Sequence, residues 1–205
     1  MQVVTADGGR ALSFDGVRFP VPAGVSDEAA LALGLHGVTA WHLLRTCAHL
    51  EPGETVVVHD AAGSVGVLAV QLAVSFGAGR VVATARTQVQ RRVALRLGAD
   101  VAVSGEPDGL TERLVEHGGS VDVVLDGQGG EVFERSLAAL APFGRIVCYG
   151  EPPAVDPVRL LGGSRAVVGF RLDDCADRPG MVASALSELM GLTAAGRLRP
   201  CESSR

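Results

Sequence analysis

Two short stretches of the chain carry residue types that could do chemistry. The first is Ala61-Ala62-Gly63-Ser64-Val65-Gly66, which follows the β-branched run Thr55–His59 and precedes an apolar helix-period segment. It is a GxGxxG pattern with alanine in the first position. Glycine at 63 lets the backbone approach a pyrophosphate, and glycine at 66 lets a helix pack close to a strand. The free N–H groups of a helix start favour a bound anion. Small residues at such a turn can also serve packing alone; the strand before and the helix after favour nucleotide binding. The second stretch is Ala83-Thr84-Ala85-Arg86-Thr87. It falls about 20 residues beyond the loop, where a cofactor with a free ribose diol calls for an acid. The chain offers no carboxylate there, but Arg86. A guanidinium fork suits a 2′-phosphate better than a diol, so the two stretches together point to NADPH. Arg91 and Arg92 follow at the start of the next helix, either as further phosphate contacts or as a solvated basic surface.

These residues need elements to hold them. Short β-branched runs, predicted as strands at Thr55–His59, Arg80–Ala85, Val101–Ser104, Val121–Asp126, Arg145–Gly150 and Ala166–Leu172, alternate with helix-period segments. The helices are expected near Val65–Phe76, Val89–Leu97, Leu110–Glu116, Glu131–Ala141 and Pro157–Leu161. Continuous apolar strands belong to sheets buried on both faces. Their alternation with helices implies an α/β fold, a doubly wound six-stranded parallel (Rossmann) sheet. A helical segment at Leu31–Leu50 precedes it, and a last helix near Met181–Ala195 ends at Gly196, a natural C-cap. Residues 1–24 differ, with two or three strand-like pieces between Gly, Asp and Pro. They read as the tail of something else or as an ornament on the main sheet edge. The expected division is a β-rich remnant, 1–24, and a dinucleotide-binding domain, 25–205.

Composition narrows the function. The 205 residues are 47% hydrophobic and 4% aromatic, and the net charge of −5 argues against a nucleic-acid surface. Cys47, Cys148, Cys175 and Cys201 lie far apart with no metal-ligand spacing, so reduced, mostly buried thiols are expected. The opening MQVVTADGGR has no apolar signal region, which suggests a cytoplasmic protein. Ala61–Gly79 lacks charge over nearly a membrane span, but its turn residues and Gln71 fit a central helix of a soluble core better.

The segments GVTAWHLL, LEPGETVVVHDAAGSVGVLAVQLA, LRLGAD, VDVVLDGQGGEVFERSLAALAPFGRIVCYG and VVGFRL occur in one order from about Val21 to Pro200. In this the chain resembles the medium-chain dehydrogenase/reductase superfamily, in its zinc-free quinone-oxidoreductase and enoyl-reductase branch. The resemblance implies NADPH at the carboxyl ends of the strands. It implies Thr39 near the nicotinamide, Ala62, Gly63, Ser64, Val65 and Gly66 at the pyrophosphate, and Arg86 with Arg91 toward the 2′-phosphate. Gly127 and Gly150 would line the cofactor channel. It also implies a homodimer that joins nucleotide domains through Ala166–Leu172, an edge without proline.

The chain also departs from that pattern. Leu35 stands where the zinc-dependent branch has a cysteine ligand, so no catalytic zinc is expected. Asp60 stands where the family usually has a small residue; its carboxylate either repels pyrophosphate or hydrogen-bonds the turn. Gly127 replaces a small hydroxyl or apolar residue. The GroES-like catalytic domain of the family has no counterpart here, so half the usual cleft is missing. His36 and His42 read as surface or core-edge histidines, Trp41 and Phe170 as packing residues, and Asp173, Asp174 and Asp177 as a solvated loop. No side-chain nucleophile stands out. Three functions remain open. One is a cut-down NADPH-dependent reductase of a C=C bond or quinone, its cleft completed by dimerising or by a partner. Another is a Rossmann scaffold turned to a non-redox cyclisation or isomerisation. The third is a non-catalytic binding subunit.

Overall fold

The computed structural model describes residues 1–6 and 9–200; Cys201 lies outside the described residues. The N-terminal segment forms β1 (Gln2–Ala6), β2 (Gly9–Phe14) and β3 (Val17–Pro20). Among the described residues they make a three-stranded antiparallel sheet of their own, separate from the six-stranded sheet. Asp15 and Gly16, both at positive φ, turn the chain between β2 and β3. An Asp-Gly pair does this because both central residues of a type I′ turn need that conformation. Leu12, Phe19 and Val21 are buried in the same apolar core as Leu33 and Leu189 of the helices that follow.

A helical rod comes next. Ser26 caps its start by accepting from the Ala29 N–H. It runs through α1 (Asp27–Ala32), a π-turn at Leu33–Gly37, α2 (Val38–His42) and a second π-turn at Leu43–Cys47. The main sheet holds β4 (Thr55–Val58), β5 (Arg80–Ala85), β6 (Val101–Ser104), β7 (Val121–Asp126), β8 (Leu140–Cys148) and β9 (Ala166–Gly169). All pair parallel in the order β6-β5-β4-β7-β8-β9, the six-stranded doubly wound arrangement expected. The helices between strands are α3 (Gly66–Ser75), α4 (Gln88–Arg96), α5 (Leu110–Gly118), α6 (Gly130–Ala139) and α7 (Val158–Leu161). The last, α8 (Pro179–Ala194), ends in paired bonds from Gly196 N to Thr193 O and from Arg197 N to Leu192 O. That is a Schellman closure on a glycine at φ +72°.

Both sheet faces are covered, which is why the strands are continuously apolar. Val56, Val58, Val123, Leu125 and Val147 pack toward α3, the first helical rod and α8. Val57, Val82, Val124 and Ile146 pack toward α5 and α6. Two strands differ from expectation. The fifth begins at Leu140, not Arg145, because Leu140 pairs with Val121 before an irregularity skips to Arg145 against Val123. It ends at Cys148, where Tyr149 and Gly150 turn away. The sixth stops at Gly169, not Leu172. Phe170 N still bonds Cys148 O at 2.9 Å, but Leu172–Cys175 coils into a 3-10 turn. The free edge is therefore short.

Candidate functional site

Strand order reverses at β4, with β5 on one side and β7 on the other. In open α/β sheets the crevice beyond the carboxyl ends at such a switch point takes the ligand. The loop Asp60–Val65 leaves β4 there. Ala61 N bonds Thr84 O at 2.9 Å, and Gly63 N bonds Asp60 O at 2.8 Å, which folds the loop onto β5. Among the described residues the N–H groups of Ala62 and Ser64 find no partner in the protein. Val65, at the N-cap of α3, supplies no side-chain cap. The first turn of a helix has donors without intrahelical acceptors, so these N–H groups are available to an anion.

Its glycines have different causes. A Cβ on Gly66 would lie 2.7 Å from Ala61 Cα and nearer still to Asp60 O. The helix start is pressed against backbone that cannot yield, which is the packing role. A Cβ on Gly63 would lie 2.9 Å from the Asp60 carboxyl carbon. The space above Gly63 is filled by a carboxylate.

Arg86 is exposed at the end of β5. With Asp60, Ala85, Gln90, Gly105 and Gln128 it lines a cavity of about 320 Å³. Arg91 is turned inward: its Nη1 donates to Ala85 O at 3.1 Å and Arg86 O at 3.0 Å, clamping the turn that carries Arg86. Thr87 and Gln90 form a reciprocal capping box at the start of α4 below it. Thr39 lies in α2, nine-tenths buried, with its hydroxyl donating to Leu35 O at 2.9 Å. Gly127 and Gly150 stand against each other at the ends of β7 and β8. A Cβ on Gly127 would meet the Tyr149 ring at 2.6 Å, and one on Gly150 would lie 2.9 Å from the Gly127 carbonyl carbon. Beyond them, Cys148, Gly150, Pro152, Gly169, Phe170 and Arg171 border a larger cavity of about 650 Å³. His36 is half-buried. His42 is in the core, its Nδ1 2.7 Å from Thr46 Oγ1 and its ring stacked on Phe170.

Beneath the loop lies a buried polar group of residues that sequence reasoning missed. His59, fully buried, has Nδ1 2.9 Å from Thr84 Oγ1 and Nε2 2.7 Å from Ser136 Oγ. Ser136 donates its own proton to Val132 O at 2.8 Å. It must therefore accept from His59, which assigns the proton to Nε2 and leaves Nδ1 to accept from Thr84. Burial pulls the His59 pKa down to about 4, against a smaller upward pull from the Asp126 charge. Asp126, also buried, accepts from Gln128 N at 2.8 Å and from Gly129 N at 3.2 Å, shaping the turn after β7. The Tyr149 hydroxyl is pushed up by burial and then by the charges of Asp60 and Asp126. One signal was available: a histidine and an aspartate at the ends of otherwise apolar strands must be satisfied if buried.

No three His, Cys, Asp or Glu side chains come close enough to hold a metal among the described residues. Leu35, in the ligand position, is 41% exposed, so the residues present do not make a zinc site. No described helix is long and apolar enough to cross a membrane.

Residues 64–188 match the family model described as zinc-binding dehydrogenase. The spectinabilin polyketide synthase system protein NorB of Streptomyces orinoci is 38% identical over 183 residues, 88% of this chain and 8% of that protein. The structure of the quinone oxidoreductase of Thermus thermophilus, described also in complex with NADPH, superposes with a TM-score of 0.84 at 33% identity, covering 96% of this chain and 68% of that one. The CurK enoyl reductase gives a TM-score of 0.74 at 30% identity, covering 89% and 56%. The chain spans 57% of the length of the curated quinone oxidoreductases it matches. With its sheet order, its glycine turn and these likenesses, the chain belongs to the zinc-binding dehydrogenase family of medium-chain dehydrogenases/reductases, among the quinone oxidoreductases and enoyl reductases.

Proposed function

We propose that this chain binds NADPH across the ends of β4, β5, β7 and β8 and serves the reduction of an electron-poor C=C bond or quinone. The observation that carries this is one cavity lined both by Asp60, which opens the glycine-tight turn, and by Arg86 at the end of β5. The bound cofactor would supply the hydride. The chain's own residues hold and orient it. The turn and the start of α3 take the pyrophosphate, and Arg86 takes the 2′-phosphate. Arg91 keeps Arg86 in place by gripping its backbone. Thr39, Gly127 and Gly150 belong to the nicotinamide end, and the cavity beside Phe170 suits the acceptor. Residues 1–24 form a small unit of their own beside the nucleotide domain, 25–205. A homodimer through β9, or a partner, completes the cleft, and the protein works in the cytoplasm.

The Asp60 carboxylate above Gly63 favours a second function, a scaffold of this fold used without a redox cofactor. Titration separates the two. Arg86→Ala should weaken NADPH roughly tenfold or more, the effect of losing a charge-assisted bond, and should barely change NADH. Equal losses would refute the role of Arg86. No binding of either dinucleotide would favour the non-redox scaffold.

A further inference from the structure

Asp60 is the residue in the cleft that the cofactor does not need. It stands at φ +46°, a left-handed conformation, two residues beyond β4. Its main-chain oxygen does structural duty, accepting from Gly63 N at 2.8 Å. Its carboxylate does not. Among the described residues nothing hydrogen-bonds it or forms an ion pair with it. The turn is therefore held by the backbone, and the carboxylate does not stabilise it.

The charge nevertheless has a definite place. Oδ2 covers Gly63, the glycine at which a pyrophosphate would come up to the backbone. Arg86 of β5 attracts it across the shared cavity, and its field reaches Tyr149 at the end of β8. The other acid beneath the loop, Asp126, is turned into its own backbone N–H groups. Among the described residues, then, the anion that faces the cradle is the protein's own.

Resting on the dinucleotide assignment of this cleft, we infer that Asp60 is an internal competitor for the cofactor's pyrophosphate: its carboxylate sits on Gly63 and must turn away before a dinucleotide can seat. Two like charges cannot share the cradle without cost, and the cofactor must compete with Asp60 for the attraction of Arg86. The device weakens binding of any dinucleotide, with or without a 2′-phosphate, because the contested seat is the pyrophosphate's. Cofactor is thereby held loosely, and its exchange is made easy.

The test is calorimetric titration of the intact chain with NADPH and, separately, NADH. Asp60→Asn keeps the shape and tolerates positive φ, so it removes charge alone. Asp60→Gly removes side chain and charge at a position where glycine fits the backbone. Both variants should bind both dinucleotides about tenfold more tightly than the unmutated chain, the order expected for relief of one like-charge contact near the surface. Binding by the unmutated chain that Asp60→Asn leaves unchanged or weakens would overturn this inference and leave the NADPH assignment standing. Tightening by Asp60→Gly but not by Asp60→Asn would also overturn it, since bulk and not charge would be at work. Binding by none of the three proteins would overturn the dinucleotide assignment and the inference together.

Discussion

Acid should weaken this protein in large part through His59. Its ring is fully buried and fully used in the neutral form, donating from Nε2 to Ser136 and accepting at Nδ1 from Thr84. A second ring proton would meet no acceptor at Thr84 without turning that hydroxyl. The folded pKa lies at about 4, below the 6.5 of a free histidine. A folded pKa below the unfolded one means that the unfolded chain binds the proton more readily. Stability is therefore complete above about pH 6.5 and is lost as pH falls toward 4, with little further change from this group below that. At 1.36 kcal/mol per tenfold change in proton affinity, the gap between 6.5 and about 4 corresponds to about 3 kcal/mol. For a domain of this size that is a large part of the whole. The assay is urea unfolding at a series of pH values, for the unmutated chain and for His59→Gln, which retains a donor and an acceptor but has no proton to gain. Acidic groups such as Glu54 and Glu134 titrate alike in both proteins, so the difference between the two curves isolates His59. That difference should shrink or reverse by about 3 kcal/mol between neutral pH and pH 4, with the histidine protein losing ground. Parallel curves would refute the assignment of a neutral, locked ring.

Three further outcomes follow from the geometry. Arg145 donates to both oxygens of Glu54, at 2.6 and 2.7 Å, with little solvent on either side chain. Glu54→Gln should cost about 2 kcal/mol, somewhat under the value for a fully buried pair, and equal stability of the two proteins in urea would count against it. Gly66→Ala should cost about 1–3 kcal/mol from overpacking against Asp60 and Ala61 and should weaken NADPH; an alanine protein with unchanged stability and affinity would show that the helix start is loose. Phe170 N bonds Cys148 O, so the N–H of Val168 also faces β8 and that of Val167 faces the free side; Val167→Pro removes that free donor and should convert a dimer to a monomer by light scattering. A dimer that survives the proline, or a chain that is a monomer at micromolar concentration without it, contradicts assembly through that edge.

The fold was legible because its signals are local and repeated. Runs such as Thr55-Val56-Val57-Val58 and Val121–Asp126 can only be strands buried on both faces, and their spacing leaves room for crossover helices. Boundaries failed where tertiary pairing outweighed local pattern. Leu140 joins the sheet because Val121 waits opposite, and Arg171 leaves it although the sequence stays apolar on either side. The turn with its free N–H groups was visible as spacing alone. The polar support under it was not, since His59, Thr84 and Ser136 are far apart in sequence and meet only across β4, β5 and α6. Arg86 and Arg91 look alike in sequence, but one lines the cavity while the other is spent on carbonyls of the turn. The two possible roles of Asp60 could be separated only by a structure that shows what its carboxylate touches.

The central claim is that this cleft is built for a 2′-phosphorylated dinucleotide. The most direct measurement is the ratio of dissociation constants for NADH and NADPH on the unmutated chain, by calorimetric titration at neutral pH and moderate salt. Arg86, standing where a diol-binding acid would be needed at the end of β5, predicts NADPH tighter by about tenfold or more. Equal affinities, or a preference for NADH, would contradict it.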